Sequence, residues 1–288
     1  MATRIYTTTT GTIEASLTGA GTPVLFLHGG HSNCHDTLSF KNFDLEQYQV
    51  IMPSRPGYGR TPLAGHTSPE AAADLIAALI EELGFKDVVV YGISAGGPTA
   101  LALAANHPEK VRKLILASAV TSTWLQPGDA VYRKAQKLFS PKVEWLTWQL
   151  VHFFAWLLPG VLAKSFHSEF STVKGATITK TEARELTEAL LKYQSGFGFL
   201  NDIDQKTEKI DLSKISCPTL ILHSQFDNSV PVAHARYAHA QIKTSTLQLL
   251  ENKWGHMLWI GDDYNHNLEL LLGFIEQPLL KPEKAILD

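Results

Sequence analysis

A serine held at a tight turn between small residues can act as a nucleophile, and this sequence has one: Ser94, in Gly92-Ile93-Ser94-Ala95-Gly96-Gly97. A serine hydroxyl is a weak nucleophile at neutral pH. It needs a base to take its proton and a third group to fix that base's tautomer and balance its charge. Twelve histidines compete for the role of base. Position along the chain selects His256, in Asn252-Lys253-Trp254-Gly255-His256, because it follows the last strand pattern (TLQLL) after a short loop. Asp227 lies four residues beyond the strand pattern PTLILH and ahead of Pro231, a place where a turn or capping aspartate is the plain alternative. The order Ser94, Asp227, His256, each at the carboxyl end of a successive strand region, joins the three into one expectation.

The attack creates an oxyanion that needs two donors. One is the backbone N–H of Ala95, directly after the nucleophile; the other comes from the loop His28-Gly29-Gly30-His31, where Gly30 lets its N–H approach a substrate closely. The same glycines do not make a dinucleotide site, because their spacing is not GxGxxG.

These residues require a scaffold that brings strand ends to one edge. Short runs rich in Val, Ile and Leu alternate with helical patterns, which predicts a mainly parallel sheet covered on both faces. Arg4 to Thr10 and Thr12 to Thr18 predict an opening hairpin around Gly11. Strands are predicted at Pro23–His28, Tyr48–Pro53, Lys86–Tyr91, Val111–Ser118, Pro218–His223 and Thr246–Leu250. Ser68, Pro69 and Glu70 make a helix start, and that helix stops at Gly84. Further helices are predicted from Ala95 to Asn106, near Val232 to Ile242 and from about Asp262 to Glu276. From Thr121 to about Thr207 no strand pattern occurs, and four of the six Trp sit among helical runs.

Composition narrows the function classes. The 288 residues are 44% hydrophobic, enough for a sizeable core. Twenty-five Lys+Arg against 28 Asp+Glu leave a net charge of -3 with no basic run, which excludes a nucleic-acid footprint. Cys34 and Cys217 form no metal-ligand or redox spacing; a single disulfide between them stays open. The polar start, MATRIYTTTTGTIE, does not read as a signal peptide, and the expected location is cytoplasmic. The most apolar stretch, Leu146 to Ala163, is broken at Pro159-Gly160 and falls short of a membrane span.

Taken together, these residues resemble the α/β-hydrolase family over some 200 residues of both halves of the core. The likeness is carried by HGG at 28–30, Ser54-Arg55-Pro56-Gly57-Tyr58-Gly59-Arg60, the GISAGG turn, Phe226-Asp227 and Gly255-His256. It implies an α/β fold with a mostly parallel eight-stranded sheet flanked by helices, formed by residues 1–120 and 208–288, and an inserted helical cap, or lid, at 121–207. It also implies a Ser94, His256, Asp227 triad and an oxyanion hole from Gly30 and Ala95. Two positions depart from the family pattern: Ser54 stands where Asp is frequent, and Ser224 where Gly is frequent after the seventh-strand His. A relocated acid after the sixth strand is disfavoured by Ser118-Ala119-Val120. Relatives with an Asp nucleophile process halides and epoxides; Ser94 points instead to acyl chemistry.

The expected activity is that of a serine carboxylesterase acting on small to medium, mainly apolar acyl substrates. Acyl transfer, C–C bond hydrolysis and iminopeptidase activity share the same first step, and a ligand receptor on the same fold is the reading from another class. His31, Trp148, Phe197, Trp254 and Met257 are the expected pocket residues, with Phe199 and Trp259 in the same apolar neighbourhood. His152 and His167 receive no role. No metal and no organic cofactor is implied, and the oligomeric state is left open. Val143 to Leu158 (VEWLTWQLVHFFAWLL), apolar around most of a helix, is expected to pack within the lid and against the core rather than at a lipid interface.

Overall fold

Val88–Ile93 (VVVYGI) carries no charged side chain, so such a strand is stable only in the middle of a sheet covered on both faces. In the computed structural model, which describes residues 3–278, every residue of this strand is buried. The eight strands are β1 (Thr3–Thr7), β2 (Thr12–Thr18), β3 (Thr22–Leu27), β4 (Tyr48–Pro53), β5 (Val88–Ile93), β6 (Val111–Ala117), β7 (Thr219–Ser224) and β8 (Ser245–Leu250). They form one sheet in the order β1-β2-β4-β3-β5-β6-β7-β8. Only β1 and β2 run antiparallel to their neighbours; from β4 to β8 every pairing is parallel. β1 is shorter than expected because Thr8 to Thr10 fold into the turn, with the Thr8 hydroxyl donating to Gly11 O at 2.8 Å.

Helices α1 (Pro69–Glu82) and α2 (Gly97–Asn106) pack on one face with α8 (Ala233–Gln241), and α9 (Tyr264–Glu276) on the other. The Ser68 hydroxyl accepts from Ala71 N, so the expected N-cap is present. Between β6 and β7 the chain forms five helices: α3 (Ala130–Leu138), α4 (Glu144–Leu157), α5 (Pro159–Phe170), α6 (Lys180–Leu190) and α7 (Gly198–Asp204). The break at Pro159 separates α4 from α5, as proline at a first helical position allows. The two cysteines are free, Cys34 being buried and Cys217 partly so.

One sequence expectation fails here. The helix at 144–157 is not covered: Trp145, Leu146, Leu150, Phe153, Phe154, Trp156 and Leu157 are all exposed, and only Trp148 and Ala155 are buried. α4 packs on α5 and α6, which cover one side of it, and nothing among the described residues covers the other.

Candidate active site

The turn after β5 explains the small residues around the serine. Ser94 has φ +50°, a left-handed conformation that costs a non-glycine residue about 1–3 kcal/mol and persists only where the surroundings impose it. A tight helical turn, Ser94–Gly96, follows before α2 begins at Gly97. A Cβ at position 96 would run into the carbonyl oxygens of Leu27 and His28, so only glycine lets this turn sit against the end of β3.

His256 Nε2 lies 2.9 Å from Ser94 Oγ, and His256 Nδ1 lies 2.8 Å from Asp227 Oδ2. The three residues are separated by up to 162 positions in sequence and all are buried. The other carboxylate oxygen of Asp227 accepts from Ser229 N at 2.9 Å and Val230 N at 2.8 Å, which leaves Oδ2 for the histidine. Burial pushes the Asp227 carboxyl up, but the attraction of His256 and the hydrogen bonds from His223 and His256 outweigh it and hold it well below the usual carboxylate range. Asp227 is thus held as an anion beside the imidazole. His223 adds to this field, with Nε2 3.3 Å from Asp227 Oδ2 and 2.9 Å from Val230 O. The Ser224 hydroxyl accepts from Phe226 N, holding the turn that leads to Asp227.

The helical segment clamps both loops that carry His256 and Asp227. Phe170, at the end of α5, accepts through its carbonyl from His256 N (2.9 Å) and Asn228 N (3.1 Å), and its ring stacks on the imidazole with centroids 5.8 Å apart. Ser171 makes an isolated antiparallel bridge with Asp227. From the sheet side, the Ser118 hydroxyl donates to His256 O at 2.9 Å.

Beside the serine, Gly29 passes so close that a Cβ there would sit 3.1 Å from Ser94 Cβ. The amides of Gly30 and Ala95 donate to no other described residue. Two free N–H groups flanking a nucleophile are what a developing oxyanion requires. The loop is held by a buried network whose catalytic relevance is not readable from the motif alone. Arg55 Nε donates to His28 O at 2.7 Å, Arg55 N donates to His28 Nε2 at 3.0 Å, and His28 Nδ1 lies 2.7 Å from Gly29 O. His28 Nε2 accepts, so Nδ1 carries the proton. Burial, with the Arg55 charge, keeps this imidazole neutral. The Arg55 guanidinium makes a two-point pair with Asp202 on α7, at 2.8 and 2.7 Å, and Tyr58 donates to the same carboxylate at 2.5 Å. Both partners of that pair are almost fully buried, so the segment between β6 and β7 is tied to the loop at His28–His31 by a charge pair out of water. Ser54, one of the two departures from the family pattern, is buried and bonded to Glu14 Oε2 and Cys34 N, a packing role in the same loop region.

Ser94 and His256 open into a cavity of about 180 Å³. Its walls are mainly aromatic: Trp124, Trp148, Phe166, Phe170, Phe199 and Trp259. No lysine or arginine lines it, and its one carboxyl, Asp36, is turned onto Leu38 N and Ser32 Oγ. Of the expected pocket residues, His31, Trp148 and Met257 line this cavity together with Gly30. Phe197 and Trp254 do not. Phe197 is exposed at the start of α7. Trp254 is fully buried on the far side of its loop, because its indole N–H needs a partner and finds Glu182 Oε1 on α6 at 3.0 Å.

One polar relay lies within the aromatic wall. Trp148 Nε1 donates to Ser195 Oγ (2.8 Å), and Ser195 Oγ lies 2.6 Å from His31 Nδ1. Ser195 is fully buried, so its own proton must go to His31 Nδ1; this leaves the proton of the neutral imidazole on Nε2, which has no hydrogen-bond partner among the described residues. Burial pushes His31 down to about 3, so it stays neutral. His152 and His167 bond to carbonyls of Leu190 and Lys253, away from the cavity.

Residues 22–263 match the family model described as alpha/beta hydrolase fold. The chain belongs to the α/β-hydrolase family. This hydrolase is 38% identical over 272 residues to the uncharacterized hydrolase YcgS of Bacillus subtilis (strain 168), covering 92% of this chain and 95% of that one. It is 28% identical over 263 residues to a non-heme haloperoxidase of Rhodococcus erythropolis, covering 90% and 93%. Among solved structures it resembles an alpha/beta hydrolase fold protein from Nakamurella multipartita, with a TM-score of 0.80, 27% identity and 93% and 97% of the two chains covered. The fold expected from the sequence is the one found, and the family is one of hydrolases.

Proposed function

We propose that this hydrolase is a carboxylesterase that cleaves small to medium, mainly apolar esters through a Ser94, His256, Asp227 triad. The observation that carries the reading is the continuous relay from Asp227 Oδ2 through His256 to Ser94 Oγ, opening into an aromatic cavity. In this mechanism His256 Nε2 takes the proton as Ser94 Oγ attacks the ester carbonyl, and the new oxyanion is held by Gly30 N–H and Ala95 N–H. His256 then returns that proton to the leaving alcohol, giving an acyl-enzyme. Water, deprotonated by His256, attacks the acyl group; collapse releases the carboxylic acid and restores Ser94. Asp227 stays ionised throughout and balances the imidazolium charge. The segment 121–207 acts as a lid, and His31, Trp148, Phe199 and Met257 shape the substrate site beneath it. The chemistry needs no metal or organic cofactor, and the substrate is a small molecule in the cytoplasm.

A cavity of about 180 Å³ is small for a ligand site and favours short acyl groups. A series of aryl esters of increasing acyl length checks this: kcat/KM is expected to peak at short to medium chains and fall beyond them. Highest turnover on charged acyl groups would contradict it. The haloperoxidase relative favours one second reading, in which hydrogen peroxide takes the place of water at the acyl-enzyme. Release of a peracid when peroxide is supplied would distinguish it from hydrolysis.

A further inference from the structure

Ten of the seventeen large hydrophobic side chains exposed among the described residues fall between Val143 and Val161, on α4 and the start of α5. Trp145 (69% exposed), Trp156 (74%) and Val161 (64%) are the most open of them. Leu146, Leu150, Phe153 and Leu157 recur at helical spacing, opposite the inward row of Trp148, Val151, His152 and Ala155. Nineteen consecutive residues, Trp145 to Ala163, contain no Asp, Glu, Lys or Arg. A contiguous apolar face of this kind marks a surface that something covers.

The charges around it indicate what. Glu144, the acid at its edge, is turned onto Ser195 N and Gly196 N. Exposed lysines flank both ends: Lys137 and Lys142 before α4, Lys164 after Val161, and none of these three pairs with a carboxylate among the described residues. An apolar, tryptophan-bearing face with a cationic border and no free acid is complementary to an anionic lipid surface, where the side chains enter the acyl boundary and the lysines meet the headgroups. Among the described residues no helix is long and apolar enough to cross a membrane, so such contact is one-sided. The described chain ends at Pro278, which shares a cleft with Lys113 at the start of β6, whereas these helices follow that strand's other end. We propose that the outer face of α4 and α5 docks this hydrolase on anionic lipid membranes, with the inner faces of the same helices lining the cavity through Trp148, Phe166 and Phe170. This docking stands apart from the acyl chemistry, since vesicle binding requires no turnover.

The test is co-sedimentation of the full chain with vesicles of phosphatidylcholine alone and of phosphatidylcholine with phosphatidylglycerol, alongside sedimentation equilibrium without lipid. Binding is expected to the anionic vesicles. It should fall about tenfold or more in the double variant Phe153→Ser/Trp156→Ser, and again in Lys137→Glu/Lys142→Glu, while hydrolysis of a water-soluble short-chain ester is unchanged in both. Lack of vesicle binding, together with a dimer that the Phe153→Ser/Trp156→Ser variant disrupts, would overturn the proposal in favour of a contact between two copies. A monomer that ignores both vesicle types, or binding equal in the wild type and the apolar double variant, would overturn it as well.

Discussion

The sheet and the α4–α5 hairpin are both rich in large apolar residues, yet they do opposite things with them. Along β3, β5 and β6 those side chains are buried on both faces by helices. On α4 only one side finds protein, and the rest faces outward. Apolar content alone therefore does not decide burial; the number of layers the topology stacks on an element does. A central strand has two covering layers. A helix at the top of the molecule has one. Ser94, Asp227 and His256 sit at strand ends of the first region, in strained or buried positions, and the second region supplies Trp148, Phe166 and Phe170 to the cavity above them.

The contrast predicts that substitutions beneath the roof act on chemistry and those on its outer face do not. The largest effect is expected from Ser94→Ala, which should lower kcat/KM for ester hydrolysis by at least about 10⁴-fold without unfolding the chain. Asp227→Asn should lower kcat by about 10³ to 10⁴-fold, since the amide presents the wrong partner to His256 Nδ1; steady-state kinetics on one aryl ester checks both. Asp202→Asn joins the two regions. It leaves the buried Arg55 charge without its carboxylate, and a destabilisation of about 3–5 kcal/mol in urea unfolding is expected, together with slower turnover as the His28–His31 loop loosens.

A smaller, pH-dependent effect is expected where α6 meets the His256 loop. Glu182 is bonded to Lys253 (2.6 Å), Trp254 Nε1 and Thr179 N. Burial opposes ionisation there, but these hydrogen bonds outweigh it and lower the carboxyl below its ordinary 4.5. A depressed folded value stabilises the fold fully above the unfolded value and loses that contribution as pH falls through the folded one. Glu182→Gln should therefore cost about 1–3 kcal/mol at pH 7, and the gap to wild type should narrow as the pH drops below 4.5, read as Tm across a pH series. Leu150→Ser, on the exposed side of α4, should change stability by less than about 0.5 kcal/mol and leave kcat alone. A loss comparable to that of Asp202→Asn would show that α4 has a protein partner in solution and would erase the contrast between the two regions.

How much of this was legible in the sequence follows from the same contrast. The strands, the capped α1 and the small residues around Ser94 are local signals, each set by a few neighbouring residues, and the structure places them within a residue or two of expectation except at β1, which ends three residues early at Thr7. Ser94, Asp227 and His256 were brought together by chain order alone, since parallel strands return successive loops to one edge. The cavity wall was harder. Trp254 and Phe197 lie near the site in sequence, but one turns away to satisfy its indole N–H on Glu182 and the other sits at an exposed helix start. The Arg55–Asp202 pair joins positions 147 apart, on the loop after β4 and on α7, and no spacing rule connects them. The His31–Ser195–Trp148 relay is equally nonlocal.

The most direct measurement is covalent labelling with a fluorophosphonate, followed by intact mass and peptide mapping. A single adduct on the peptide containing Ser94, formed rapidly in the wild type and abolished in His256→Ala, is the predicted result. An adduct on another residue, or a rate in His256→Ala equal to that of the wild type, would contradict the proposed coupling of base and nucleophile.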